Sequence, residues 1–283
     1  MVIYAAASLL AVDTSLSNTF RGRAYAKCFA EMGLQVALHP AVKAGDPLLH
    51  HRTDDDSGYD VKVTTEEARF NINVMLLQSD RTLLKRILEE WGLPADEASA
   101  LSDALKDWVD ADDEMELNGA EKKQYEAMGF EGMPFNRPFR NLDEMTLVRG
   151  MDRLAEIKPD WRSYFTVNGS GQVDINEARA ELISLIAQVP VEKVKRLTDF
   201  RNGPDMVPHT KDDQKLTSVP QVAVLLGVND PKIVQTLTRW IQFNGPTRRI
   251  ESTGTAGGKR YKLVLVAEGS SVLWRKEQNS NDE

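Results

Sequence analysis

The chain has 283 residues, with 35 Lys+Arg against 43 Asp+Glu and a formal net charge of -8. Its 41% hydrophobic and 28% charged residues are the make-up of an ordinary globular protein, which excludes wholesale disorder and a polytopic membrane protein. The acidic balance argues against non-specific nucleic-acid binding, because phosphates would be held against the protein's own field. The single Cys28 excludes an intramolecular disulfide and a cysteine-based zinc cluster.

Residues Val2 to Val12 (VIYAAASLLAV) are an apolar run that ends at Asp13, short of the roughly 20 residues that span a bilayer. No basic region precedes the run and no small-residue cleavage site follows it, so it does not read as a cleaved signal peptide. From Leu16 onward Phe20, Ala24, Cys28, Phe29, Met32 and Val36 recur at three- and four-residue steps, which predicts a long amphipathic helix ending near Pro40. Two readings are open for it: a helix packed on the domain that follows, or the lower half of a longer helix whose hydrophobic upper half is absent.

Gly45 to Gly58 is loop chemistry rich in Asp, Gly and Pro, and Tyr59 to Thr64 (YDVKVT) alternates like a strand. Phe70 to Leu77 continues as an apolar, partly alternating stretch. From Arg81 to about Phe200 the periodicity is helical almost throughout, and one more amphipathic helix is predicted over Val219 to Leu226. Thr247 to Thr253, Arg260 to Ala267 and Ser271 to Arg275 read as strands, the first two joined by a turn at Gly254 to Gly258. Isolated hairpins are marginal, so the strands near residues 60 and 260 are expected to share one sheet with the helical block inserted between them. The predicted class is α+β: a long N-terminal helix and a small antiparallel sheet interrupted by a large all-helical insert. The expected division is residues 1–40 for the helix, 41–77 and 207–283 for the α/β domain and 78–206 for the insert.

The densest chemical signal is Asp107 to Glu121 (DWVDADDEMELNGAE). Hard carboxylate oxygens of this kind suit calcium far better than zinc. Asp110, Asp112 and Glu114 fall at alternate positions, with Glu121 eleven residues after the first, as in the ligand spacing of an EF-hand loop. Met115 stands where that loop needs glycine, and the glycine here is Gly119. An EF-hand is therefore set aside, and the local pattern leaves a different calcium loop or a solvated acidic loop. Asp54, Asp55, Asp56 and Asp60 read as an exposed turn.

Other motifs carry less. Gly254 to Lys259 (GTAGGK) lacks the Walker spacing, Gly169-Ser170-Gly171 lacks a third glycine, and the adjacent His50 and His51 point to opposite faces of an extended strand. Val173 to Arg201 looks like a helix-hairpin-helix unit, but its hairpin, Gln188 to Val191, has no glycine to let backbone N–H groups approach phosphate. A structural use of that hairpin is expected. The competing classes are a helix-hairpin-helix nucleic-acid-binding protein and a metal-dependent hydrolase using the carboxylates.

Five stretches together resemble the minor pseudopilin K family of bacterial type II secretion systems: Ala24 to Leu38, Glu66 to Leu77 (EEARFNINVMLL), Asp107 to Tyr125 with its D-W-x-D-A-D-D run, Asn136 to Glu144 (NRPFRNLDE), and Val173 to Ala178 with Arg201. The resemblance runs from about Arg21 to Arg201, and the D-W-x-D-A-D-D run is its most specific part. It implies a pilin-like fold and a non-enzymatic protein-secretion role at the tip of a periplasmic pseudopilus, in a complex with I- and J-type minor pseudopilins and with no nucleic acid. It also implies inner-membrane anchoring, single-pass, through a hydrophobic N-terminal segment whose leader, peptidase site and apolar half are not in this sequence. Calcium is implied as a structural cofactor, carried over onto Asp110, Asp112, Asp113, Glu114 and Glu121. The expected partner-facing residues are Phe20, Ala24, Cys28, Phe29, Met32 and Val36. Asp174, where the family has asparagine or another small polar residue, and the hairpin without glycine depart from the family pattern.

Overall fold

The computed structural model describes the backbone of residues 2–269 and 271–279 and the side chains of residues 19–269 and 271–277, so the side chains of the apolar run Val2 to Val12 lie outside the described residues. The chain opens with α1 (Val2–Leu38), then β1 (His50–Arg52), β2 (Gly58–Thr65) and β3 (Phe70–Asn71). Five helices follow: α2 (Ile72–Leu77), α3 (Thr82–Glu90), α4 (Ala95–Val109), α5 (Lys122–Ala127) and α6 (Met151–Ile157). Next come β4 (Phe165–Thr166), β5 (Val173–Asp174), α7 (Ala180–Ala187), α8 (Val191–Arg201), α9 (Val219–Leu226) and α10 (Pro231–Trp240). The chain closes with β6 (Ile241–Gln242), β7 (Thr247–Ala256), β8 (Lys259–Glu268) and β9 (Ser271–Asn279).

Two compact units result, one holding the chain up to Thr65, His209–Lys211 and everything from Thr247, the other Glu66–Pro208 and Asp212–Pro246. In the first, an antiparallel sheet of order β1-β2-β7-β8-β9 joins strands nearly 190 residues apart, with Val61 opposite Ser252 and Ile250 opposite Leu265. Its inner face, Val61, Val63, Ile250, Leu263 and Leu265, buries Ala30, Leu34 and Ala37 of α1. The helix comes close because its contact face is small: Ala26, Ala30, Gly33 and Ala37 are buried, and the Ser252 hydroxyl donates 2.7 Å to the Ala30 carbonyl. The β7–β8 hairpin is tighter than the expected Gly254 to Gly258 turn. Ala256 pairs with Lys259, so only Gly257 and Gly258 form the loop, both left-handed at φ 55 and 69 as a two-residue hairpin of this hand requires. Gly254 instead lies within β7, paired with Tyr59 and Tyr261.

The second unit is helical around one continuous core, with two-residue parallel pairings β3–β4 and β5–β6. Its entry is set by two asparagines. Asn71 caps α2 by accepting from the Val74 N–H at 3.3 Å and donates to the carbonyls of Asn168 and Gly169 at 3.1 and 2.9 Å. Asn73 exchanges two bonds with the Phe139 backbone, at 2.9 and 2.8 Å. The boundaries expected at residues 77/78 and 206/207 fall instead at 65/66 and 246/247. The reason is burial: Ile72, Met75 and Leu76 of α2, Val222 and Leu226 of α9, and Leu237 and Trp240 of α10 all belong to the helical core. The helix α10, absent from the sequence reading, starts where Asp230 caps the Lys232 N–H at 2.8 Å with Pro231 in the first turn.

Candidate functional site

The acidic segment forms a loop between α4 and α5 and is folded back by carboxylates of α4. Asp107 accepts from the backbone N–H groups of Glu116 and Ala120 at 3.1 and 2.8 Å. Asp103 accepts from the Asn118 N–H at 3.3 Å, while Arg81 joins Asp103 and Glu116 at 3.0 and 3.1 Å. This arrangement explains why the loop's glycine is Gly119: a Cβ there would sit 1.8 Å from Asp107 Oδ2. The floor is aromatic, with Trp108 edge-on to Tyr125 at 5.4 Å and stacked with Phe139 at 6.2 Å. Burial pushes the Asp107 carboxyl up to about 6 despite its two backbone donors.

Above that floor four buried acceptor oxygens have no hydrogen-bond donor: Asp110 Oδ1, both carboxylate oxygens of Glu121, and Asn136 Oδ1. Glu121 is 5% exposed, and its backbone N–H is taken by the Gln124 side chain at 3.0 Å. Burial, reinforced by the charges of Asp107, Asp110 and Asp113, pushes the Glu121 carboxyl up to about 7. Burial also raises Asp110, against the opposing Lys106 ammonium at 3.4 Å. Asn136, left-handed at φ 46, donates to the Asp112 carbonyl and to Asp113 Oδ1 at 2.9 and 3.0 Å, which leaves its own oxygen over. An unpaired buried acceptor costs about 1–3 kcal/mol, and more when charged, so this oxygen-only set has the chemistry of a hard-cation site.

The predicted ligands divide accordingly. Asp110 and Glu121 carry unpaired oxygens, and Asp113 is tied to them through Asn136. Asp112 is exposed and turns its carboxylate to the Glu114 N–H at 2.9 Å, and Glu114 is exposed. Among the described residues no three His, Cys, Asp or Glu side chains are drawn together tightly enough to hold an ion as they stand. Asp112, Asp113 and Glu114 are exposed on the same loop. Sequence reasoning missed Asn136 as an oxygen donor, although the N-R-P-F run was noticed, and missed Asp107 as the residue that shapes the loop.

The other candidate surface is α1. Phe20, Tyr25 and Met32 are 68, 62 and 51% exposed, and Ala24 and Cys28 are exposed with them. Phe29 and Val36 are half-buried and pack on the sheet core. Cys28, Met32 and Val36 line a shallow groove with Arg275 of β9, itself 3.5 Å from Glu31. Among the described residues no helix is long and apolar enough to cross a membrane. In the helix-hairpin-helix-like unit, Gln188 takes the left-handed position (φ 55) that glycine usually fills. Arg201 is spent on the carbonyls of Ile175 and Ala178 at 3.1 and 2.8 Å, and Asp174 accepts from the backbone N–H groups of Gly245 and Asn176 at 2.8 and 2.9 Å. The unit is an internal brace.

Comparison with known proteins agrees with this geometry. Residues 68–158 match the family described as type II secretion system (T2SS), protein K. Type II secretion system protein K of Klebsiella pneumoniae is 32% identical over 109 residues, covering 35% of this chain and 33% of that protein. The protein of the same name from Pseudomonas aeruginosa is 24% identical over 179 residues, covering 59% of this chain and 51% of that protein. The chain thus spans a third to a half of the length of these curated relatives. In fold it matches a chain of the crystal structure of the GspK-GspI-GspJ complex from enterotoxigenic Escherichia coli, with a TM-score of 0.68 at 16% identity, over 96% of this chain and 100% of that one. The acidic stretch lies inside the residues that match the protein K family, and the helix-on-sheet unit with its inserted helical unit is the fold that the chain shares with that solved structure.

Proposed function

We propose that the chain is a non-enzymatic minor pseudopilin that caps the tip of a type II secretion pseudopilus, in a complex with I- and J-type minor pseudopilins, and so takes part in protein export. The observation that carries this reading is the two-sided character of α1. One side is a row of small residues spent on the sheet, and the other leaves Phe20, Tyr25, Cys28 and Met32 exposed. A helix that has already satisfied its own domain and still exposes large apolar side chains is suited to packing against other helices. The family context supports a position in the secretion apparatus, with an N-terminal inner-membrane anchor and the bulk of the chain in the periplasm.

Calcium is proposed as a structural cofactor, held by Asp110, Glu121 and Asn136 with the exposed Asp112, Asp113 and Glu114 closing over it. The support is the set of four donorless buried oxygens. The ion would supply the positive charge that this buried set lacks and tie the α4–α5 loop to the Asn136 segment.

Met32→Asp and Tyr25→Asp test the assembly surface. Both positions are exposed, so each variant should melt within about 4 °C of wild type, since surface changes stay near ±0.5 kcal/mol. Recovery with co-expressed I- and J-type partners should fall at least tenfold (about 1.4 kcal/mol), because a charge would be buried unpaired in the interface. Wild-type recovery of both partners by both variants would remove α1 as the assembly surface. Phe29→Asp is a poor probe, since it would damage the sheet core directly.

A further inference from the structure

We infer that Asn168-Gly169 is a modification site, the Asn-Gly pair at which the folded chain converts asparagine to aspartate and isoaspartate, and that the product loosens the entry to the helical unit. The chain holds four Asn-Gly pairs, at Asn118, Asn168, Asn202 and Asn244. In such a pair the glycine nitrogen loses its proton and attacks the asparagine Cγ, ammonia leaves and a cyclic imide closes. Glycine favours this intramolecular step because no side chain shields its nitrogen. Water then opens the imide at either carbonyl. One product is aspartate; the other is isoaspartate, whose main chain runs through the former side-chain carbonyl and is longer by a methylene.

The fold closes this path at three of the pairs. The N–H of Gly119 donates 2.9 Å to the Glu116 carbonyl, that of Gly203 3.4 Å to the Phe200 carbonyl, and that of Gly245 2.8 Å to Asp174 Oδ2. Among the described residues, neither the Gly169 N–H nor the Asn168 side-chain amide has a hydrogen-bond partner. Both residues are half-buried and open to water, whereas exposure alone would pick Asn118 and Asn244. The Asn168 carbonyl, in the same peptide unit as the Gly169 nitrogen, accepts from Asn71 Nδ2 at 3.1 Å, which draws electron density from that nitrogen and makes its N–H more acidic. Asn71 is also where the product acts. It caps α2 through the Val74 N–H and holds the carbonyls of both Asn168 and Gly169. Isoaspartate lengthens the chain between those two carbonyls, so one Asn71 side chain no longer reaches both. Either product adds a carboxylate beside Gly169, where a Cβ would lie 2.9 Å from Glu67 Oε1, and like charges repel.

The test ages the full chain in mildly alkaline buffer, folded and unfolded in urea, and follows peptides spanning each pair by mass spectrometry, with labelling by an isoaspartyl methyltransferase to read isoaspartate. A glycine N–H that must first leave its hydrogen bond is slowed about fivefold (about 1 kcal/mol). Asn168 in the folded chain should therefore convert at least about fivefold faster than each of the other three pairs, and in urea the four rates should converge. Asn168→Gln keeps an amide but must close a larger, slower ring, and it should melt with wild type when fresh, since the Asn168 amide holds nothing. On ageing, wild type should lose melting temperature in step with its isoaspartate content, while the variant keeps its midpoint. Conversion at Asn168 no faster than at Asn118, Asn202 or Asn244 in the folded chain would overturn the site, as would the same ranking of rates folded and in urea. Equal loss of melting temperature by aged wild type and aged Asn168→Gln would overturn its effect on the entry.

Discussion

In chelator, the melting temperature of the chain is expected to fall as pH rises from about 5 to about 8, and Glu121→Gln should abolish most of that fall. The buried Glu121 carboxyl is held up to about 7 from 4.5 by burial and by the charges of Asp107, Asp110 and Asp113. The folded state therefore binds this proton more tightly than the unfolded one. Its stabilising contribution is complete below about pH 4.5 and lost as pH passes through about 7, on the order of 3 kcal/mol at about 1.4 kcal/mol per unit. For a unit of this size that is roughly 6–12 °C. Calcium should reverse the slope, because its ligands must be deprotonated and a ligand of the native state stabilises by mass action, by about 2.7 kcal/mol at about one hundred times Kd. The signs then cross for Glu121→Gln at about pH 7.5. The variant should melt above wild type in chelator, where a neutral amide replaces an unpaired buried charge, and below it in calcium, where a ligand is gone. Scanning calorimetry in calcium, magnesium and chelator reads all four cases. Parallel pH profiles with no calcium-specific shift in either protein would falsify the cation site.

What could be read in the sequence follows from which forces leave a local trace. The alternation of Tyr59 to Thr64 and the tail strands marked one sheet, because pleated strands with one face on a helix must alternate. The boundary at Thr65/Glu66 left no such trace: Ile72, Met75 and Leu76 look alike in sequence whichever core receives them, and only the assembled helical unit assigns them. On α1 the large Phe29, Met32 and Val36 dominate the periodicity, but close approach to the sheet is made by alanine and glycine, whose burial gives a weak apolar signal. At the acidic loop the carboxylates were visible as a run. The contribution of Asn136 was not, since it comes from a segment 15 residues beyond Glu121 and depends on a left-handed backbone that brings its side chain back to Asp112 and Asp113.

Gly254→Ala is expected to be among the most damaging single methyl additions in the sheet unit. A Cβ at this position would stand 1.9 Å from the Ala26 carbonyl oxygen and 2.4 Å from the Ala30 nitrogen, both backbone atoms of α1. No rotamer change relieves such a contact; helix or strand must move. Overpacking a core costs about 1–3 kcal/mol when side chains can yield, and backbone-to-backbone contact takes the cost to that range's upper end or beyond. Moving α1 outward also breaks the Ser252 bond to Ala30 and opens the Leu34 and Ala37 contacts with Val61, Ile250 and Leu265. Gly258→Ala is the matched control: its φ of 69 is left-handed, but nothing lies within 4 Å of the added Cβ, so the cost should stay near about 1 kcal/mol. Hydrogen exchange distinguishes the two. Gly254→Ala should lose protection along residues 26–37 of α1 and in β7, while the helical unit keeps wild-type protection. Gly258→Ala should lose protection only near the hairpin. Wild-type protection of α1 in the Gly254 variant, with an unchanged urea midpoint, would mean that the helix is not seated on the sheet at this glycine.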